Sequence, residues 1–188
     1  MKMQLQSTLT NNLGQTLKVI YSEEDPLIGL DGKVLQGVHA FCFYGDKMVL
    51  VKHPKSGWMP PGGGIELGET YEQAIEREVR EETNMEVIFQ KLIGFQDIYE
   101  PERIIRQTRS FCVVKPYGNF LLDPGGEITE IKLINPREYK NFFDWGKIGD
   151  RIMGQALAYK NIFAKTPLRR RCLRLAPRPH LGGVHRNK

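Results

Sequence analysis

The sequence predicts an α/β sandwich built on a mixed β-sheet. Three observations predict it. Strand-like apolar runs lie both before and after one central helix. A glycine-rich stretch, Pro60-Pro61-Gly62-Gly63-Gly64, leads straight into that helix. A second amphipathic helix follows the last strand, so helical layers are available for both faces of a sheet.

The elements follow in order. Residues 1–14 are polar and are expected to be loose. Leu17, Val19 and Tyr21 alternate, which makes 16–22 a strand. Residues 23–32 carry acids, glycines and one proline and read as a loop. Residues 35–44 are strand-like, Gly45-Asp46 is a turn signal, and 47–53 pairs back as a hairpin. Residues 54–69 form the approach to the central helix.

That helix is predicted over 71–83. Thr70 and Gln73 stand at capping-box spacing. No Gly or Pro interrupts the segment, and Asn84 falls where a helix exit favours a left-handed residue. Beyond it, 87–98 and 105–114 read as strands joined by a loop at 99–103. Residues 118–126 are turn-rich, 127–134 is a short strand, and Pro136 opens a helical turn. Ile148, Ile152, Ala156, Tyr159 and Phe163 recur at helical spacing, so 147–164 is an amphipathic helix.

Composition restricts the function classes. A chain of 188 residues with 40% hydrophobic content suits one domain, taken as residues 1–165. No apolar stretch is long enough to span a membrane, and the first residues lack a signal-like apolar core. Three cysteines without metal-ligand spacing read as reduced thiols, and the expected compartment is the cytoplasm. The net charge of +5 is uneven: residues 166–188 hold seven Lys or Arg and no acid. These residues are expected to form a basic, disordered tail that small-molecule chemistry does not need.

The central helix carries the chemistry. At about 100° per residue, Glu78, Glu81 and Glu82 fall within one arc of the helix, and the apolar Ala74 and Ile75 fall in the same arc. The opposite side holds Glu72, Gln73, Glu76 and Arg80. Three carboxylates facing the protein repel one another and oppose the helix dipole. A hard divalent cation reverses both effects, because Mg²⁺ takes oxygen ligands from carboxylates, phosphates and water. The glycines ahead of the helix let backbone approach a metal or a phosphate closely.

Gly63, Glu69, Arg77, Glu78, Val79, Glu81, Glu82 and Met85 match the pattern G-x5-E-x7-R-E-U-x-E-E-x-G-U, U being a bulky apolar residue. The chain thereby resembles the Nudix hydrolases. Asn84 replaces the pattern's last glycine, and Asn tolerates the left-handed backbone needed there. The resemblance implies a loop–helix–loop catalytic motif on the mixed sheet, and cleavage of a nucleoside diphosphate linked to another moiety. Glu81 and Glu82 would be the principal ligands of Mg²⁺, with Mn²⁺ as an alternative. Glu78 would be a further ligand or the base acting on water. A main-chain carbonyl at Gly62 or Gly63 would complete the site, and Glu69 would pair with Arg77.

Other candidates come from position. Lys52, Lys55, Arg103, Arg106 and Arg109 lie in segments bordering the expected cleft, and Lys55 and Arg106 are the picks for substrate phosphate. Glu127, after Gly125-Gly126, is the expected extra catalytic carboxylate, with Glu130 second. Trp58, Tyr99 and Phe95 are candidates to stack on a base. Two alternatives stay open: an inactive nucleotide-binding module of the same fold, and action on RNA ends or nucleic-acid binding through the basic tail. The sequence leaves the oligomeric state undefined.

Overall fold

The computed structural model describes residues 3–11, 13–118, 126 and 128–166. Within them the strands are β1 (Gln4–Thr10), β2 (Thr16–Ser22), β3 (Lys33–Tyr44), β4 (Lys47–His53), β5 (Gly57–Met59), β6 (Met85–Tyr99), β7 (Ile104–Pro116) and β8 (Glu130–Ile134). They form one sheet in the order β1-β2-β6-β7-β3-β4-β5, and β8 also pairs with β4. β3 and β7 run parallel, whereas β6 and β7 run antiparallel, so the sheet is mixed as expected.

Two helices cover it, α1 (Tyr71–Thr83) and α2 (Gly146–Lys165). The period of two along each strand sorts the core into two layers. Val38, Ala40 and Cys42 of β3 and Cys112 and Val114 of β7 pack with Ala74, Ile75 and Val79 of α1. The alternate residues Phe41, Phe43 and Phe111 pack with Ile148, Ile152 and Met153 of α2. The result is an α/β/α sandwich, with each buried Ile or Phe contributing about 1.5–3 kcal/mol.

The N-terminal expectation is corrected. Gln4–Thr10 is a strand, in register with β2 from Gln4 opposite Ser22 to Thr10 opposite Thr16. Every other side chain of β1 is half-buried, the rest exposed, as suits an edge strand paired on one side. The short β5 also escaped the sequence reading; it pairs with β4 from Val51 opposite Met59 to His53 opposite Gly57. The last strand begins at Glu130 rather than 127. Most of the turn-rich 118–126 connection, and all but the first residue of the basic 166–188 segment, lie outside the described residues.

α1 forms where its caps place it. The Thr70 side chain accepts from the Gln73 N–H, the Gln73 side chain accepts from the Thr70 N–H, and Asn84 sits at φ 50° in the left-handed region.

Candidate active site

The glycine turn is sewn onto β3. Pro61 and Gly63 carbonyls accept from the Ala40 and Val38 N–H groups at 2.8 and 3.0 Å, and Gln36 O accepts from Ile65 N–H at 2.9 Å. This close approach explains the glycines. A Cβ on Gly62 would lie 2.8 Å from His39 Cα and closer still to the Val38 carbonyl, and its φ of 156° is strained for other residues. A Cβ on Gly63 would lie 2.6 Å from the Glu78 carboxyl carbon.

α1 delivers its acids to this turn. Glu82 is 8% exposed and accepts the Gly62 N–H at 2.8 Å. Glu78 is also largely enclosed, with 12% of its side chain exposed, while Glu81 stands at the rim with 40%. Burial pushes the Glu78 carboxyl above its ordinary range, outweighing the neighbouring Arg77 charge.

Arg77 organises the cluster. Its Nε and Nη2 hold the two Glu69 oxygens, each at 3.0 Å, and Nη2 also donates to the Gly64 carbonyl at 2.8 Å. Its Nη1 donates to Glu78 at 2.9 Å and Glu81 at 3.3 Å. The Glu69–Arg77 pair thus ties the loop to the helix, in the bidentate geometry that arginine favours.

The donor set suits a hard divalent cation. Three carboxylates and the backbone carbonyls at Gly62 and Gly63 offer oxygen only. Among the described residues no three His, Cys, Asp or Glu side chains are already gathered at metal-ligand spacing. The reason is visible: Arg77 binds Glu78 and Glu81, Gly62 binds Glu82, and the Gly63 carbonyl accepts from Val38. The chemistry fits the ion, and Glu78 and Glu81 would exchange the Arg77 cation for it.

The remaining candidates separate. Arg106 is corrected from substrate contact to structural anchor. It is 2% exposed, bonds Asp97 at 2.7 and 2.9 Å, donates to the Pro26 and Ile28 carbonyls at 2.7 Å, and stacks on Phe95 at 3.8 Å. No donor is left for a phosphate, and Phe95 is committed to the same contact. Lys55 is exposed in the turn between β4 and β5. Lys52 pairs with Glu130 at 2.5 Å. Trp58 meets Phe142 edge-on at 6.3 Å, under the Lys132 ammonium at 4.5 Å. Glu127 lies outside the described residues.

Sequence reading missed a cavity of about 510 Å³ on the α2 side of the sheet, lined in part by His39, Gln96, Gln107, Arg109, Asp144 and Trp145. The sequence places Arg109 among the cations bordering the cleft but favours Arg106, three residues earlier. On a strand that spacing puts them on opposite faces, and only the register tells which face is which.

A family model for the NUDIX domain matches residues 34–153. The chain is 37% identical over 78 residues to "Putative 8-oxo-dGTP diphosphatase YtkD" of Bacillus subtilis, covering 42% of this chain and 49% of that one. It is 29% identical over 107 residues to the RNA pyrophosphohydrolase of Shewanella denitrificans, covering 54% and 62%. The chain therefore spans less than two thirds of the length of either relative. The fold matches the crystal structure of the Bacillus subtilis pyrophosphohydrolase BsRppH with a TM-score of 0.62 at 21% identity, over 81% of this chain and 97% of that one. It also matches the NUDIX domain of Shewanella oneidensis NrtR with a TM-score of 0.54 at 16% identity, over 67% and 88%. With the family model covering more than half of its length, this chain belongs to the Nudix family.

Proposed function

We propose that this chain is a pyrophosphohydrolase that cleaves the diphosphate linkage of a nucleoside diphosphate derivative, using Mg²⁺ or Mn²⁺. The carrying observation is the inward convergence of Glu78 and Glu82 on the glycine turn, with Glu82 held to Gly62 N–H at 2.8 Å.

Glu78, Glu81 and Glu82 would hold the metal, together with the Gly62 or Gly63 carbonyl. When bound, such a metal neutralises phosphate oxygens and lowers the pKa of coordinated water. The chain's own residues supply the frame. Arg77 fixes the height of the loop over the helix through Glu69 and Gly64. Glu78, its carboxyl raised by burial, stands against Gly63 and, if it is not a ligand, would be the base that takes a proton from attacking water. Glu127 remains our candidate for a further carboxylate, and Lys55 and Trp58 for outer substrate contacts. We place the protein in the cytosol, where the buried Cys42 and Cys112 thiols stay reduced. Among the described residues no helix is long and apolar enough to cross a membrane.

The test is release of phosphate or pyrophosphate from nucleotide sugars, dinucleotides and nucleoside triphosphates, with Mg²⁺ or chelator. We expect Glu82→Gln to lose at least about a hundredfold in kcat/KM, an order set by loss of one group that stabilises transition-state charge. Equal rates in wild type and Glu82→Gln would support an inactive binding module instead. A second reading is action on the 5′ end of RNA, favoured by the named activity of the Shewanella relative and the cations of 166–188. Triphosphorylated RNA belongs in the same panel. Deleting 167–188 is expected to spare mononucleotide hydrolysis and to weaken RNA only.

A further inference from the structure

We propose that β1 is a docking edge for a second copy of this chain, its own β1 pairing antiparallel with that of the copy about a two-fold axis at Ser7. β1 stands at one end of the sheet, and among the described residues it pairs with β2 alone. All seven residues from Gln4 to Thr10 are in register with β2, and none of them is charged, Pro or Gly. Edge strands are ordinarily blunted by charge, proline or a bulge, because a row of unpaired N–H and C=O groups invites another strand. The far side of the sheet shows that protection: β8, which pairs with β4, carries Glu130 and Lys132. β1 lacks it.

The turn after β1 tells which backbone groups face outward. Asn11 N–H donates to Gln15 O at 3.0 Å, so Asn11 faces β2. Backbone direction alternates from residue to residue in an antiparallel pair. The N–H and C=O groups of Gln4, Gln6, Thr8 and Thr10 therefore point away from β2.

The order of side chains says which strand fits that edge. A two-fold contact requires that where residue i meets j, j also meets i. Outward from Ser7, β1 carries the same kind of residue in both directions: polar Gln6 and Thr8, then Leu5 and Leu9, then polar Gln4 and Thr10. Pairing centred on Ser7 sets Gln6 against the second copy's Thr8 and Gln4 against its Thr10, each through outward-facing backbone groups. It also sets Leu5 beside the second copy's Leu9, a cross-strand apolar pair. Both leucines are half-buried against the α2-side core, so the pair continues that core across the junction. Sliding the register by two residues sets a leucine against Ser7 instead.

Charge agrees with this occupant. The seven residues carry none, so two copies meet there without like-charge repulsion. Ser7, Thr8, Leu9 and Thr10 also line the cavity of about 510 Å³, so the second copy's β1 lies directly outside that wall.

The test is sedimentation of the full chain at rising protein concentration. We expect the mass to climb from 21.6 kDa toward twice that value. Thr8→Pro removes an outward N–H and no bond to β2, and the symmetry removes it twice. It should weaken the dimer at least about tenfold while the circular dichroism spectrum stays native. Crosslinking in a Cys172→Ser background reads the register. Ser7→Cys meets its own copy at the axis, within disulfide reach. It should give a covalent dimer as glutathione disulfide is reduced to glutathione, and Gln4→Cys should not. A chain that stays at 21.6 kDa at every concentration overturns the proposal. So does a dimer that folded Thr8→Pro leaves intact, or a crosslink at Gln4→Cys in place of Ser7→Cys. If Thr8→Pro unfolds, the crosslinks decide alone.

Discussion

Glu78 stands where a side chain at position 63 would have to go: a Cβ on Gly63 would lie 2.6 Å from the Glu78 carboxyl carbon and 2.8 Å from Oε2. The glycine turn and the acid helix are therefore one fitted unit. Gly63→Ala would meet only the movable end of a side chain, so the chain should fold and displace Glu78. We expect kcat to fall at least about tenfold, as small misplacements of reacting groups do, with little change in Tm. Gly62→Ala meets the backbone of Val38 and His39 and keeps a positive φ. It should destabilise by about 1–3 kcal/mol or more. Thermal melts beside steady-state rates separate the two cases, and equal behaviour of the two variants would refute the distinction.

Arg77 makes five contacts within hydrogen-bond distance, to both Glu69 oxygens, Gly64 O, Glu78 and Glu81. Its side chain is 23% exposed and that of Glu69 14%, so this is not an ordinary surface pair. Arg77→Lys keeps the charge but cannot fork across Glu69 while reaching the others. Losing charge-assisted bonds of this kind costs about 1.5–3 kcal/mol each. Tm should fall by at least about 4 °C, and the 62–69 loop should become more open to protease. An unchanged melt and digest would return the pair to the surface class.

Much of this was legible in the chain. The limits of α1 followed from Thr70, Gln73 and Asn84, because capping chemistry is local. The inward turn of Glu78 and Glu82 followed from helix geometry, since Ala74 and Ile75 marked the buried arc, whereas Glu81, expected in the same arc, stands at its rim with 40% of its side chain exposed. The strand at 4–10 was not legible: as an edge it buries little, so Gln, Ser and Thr blur its alternation. The Arg109 cavity was hidden for another reason. It draws His39 from β3, Gln96 from β6, Arg109 from β7 and Trp145 from the N-cap of α2, and β6 carries register shifts at Val87/Phe89 and Leu92/Gly94. Such a meeting depends on strand order and register, which no local pattern encodes.

The Arg106–Asp97 pair predicts a loss of stability rather than of substrate affinity. Arg106 pins the 23–32 loop through the Pro26 and Ile28 carbonyls. Arg106→Met would leave Asp97 buried with only Lys33, at 2.6 Å, to answer it. Removing one partner of a buried pair costs about 3–5 kcal/mol. Urea unfolding should show that loss, with KM unchanged at temperatures where the variant is folded. A raised KM without a stability loss would restore Arg106 as a substrate contact.

The same pair sets a pH dependence. Burial raises the Asp97 carboxyl, but bonds from Arg106 and Lys33 outweigh it and hold the group below its ordinary range. A depressed folded pKa means that the native state binds its proton less readily than the unfolded chain does. Its stabilisation is thus complete above the unfolded value, near about 4, and is lost as pH falls through the folded value. Asp97→Asn removes this titration while keeping the shape. Unfolding free energies measured from pH 7 down to 2 should show wild type losing stability below about pH 4 more steeply than Asp97→Asn. The gap between the two proteins should narrow as acid is added, because protonation does to wild type what the substitution does to the variant. A gap that stays constant down to pH 2 would mean that Asp97 is not ionised in the folded protein, and that Arg106 is neutralised by something else.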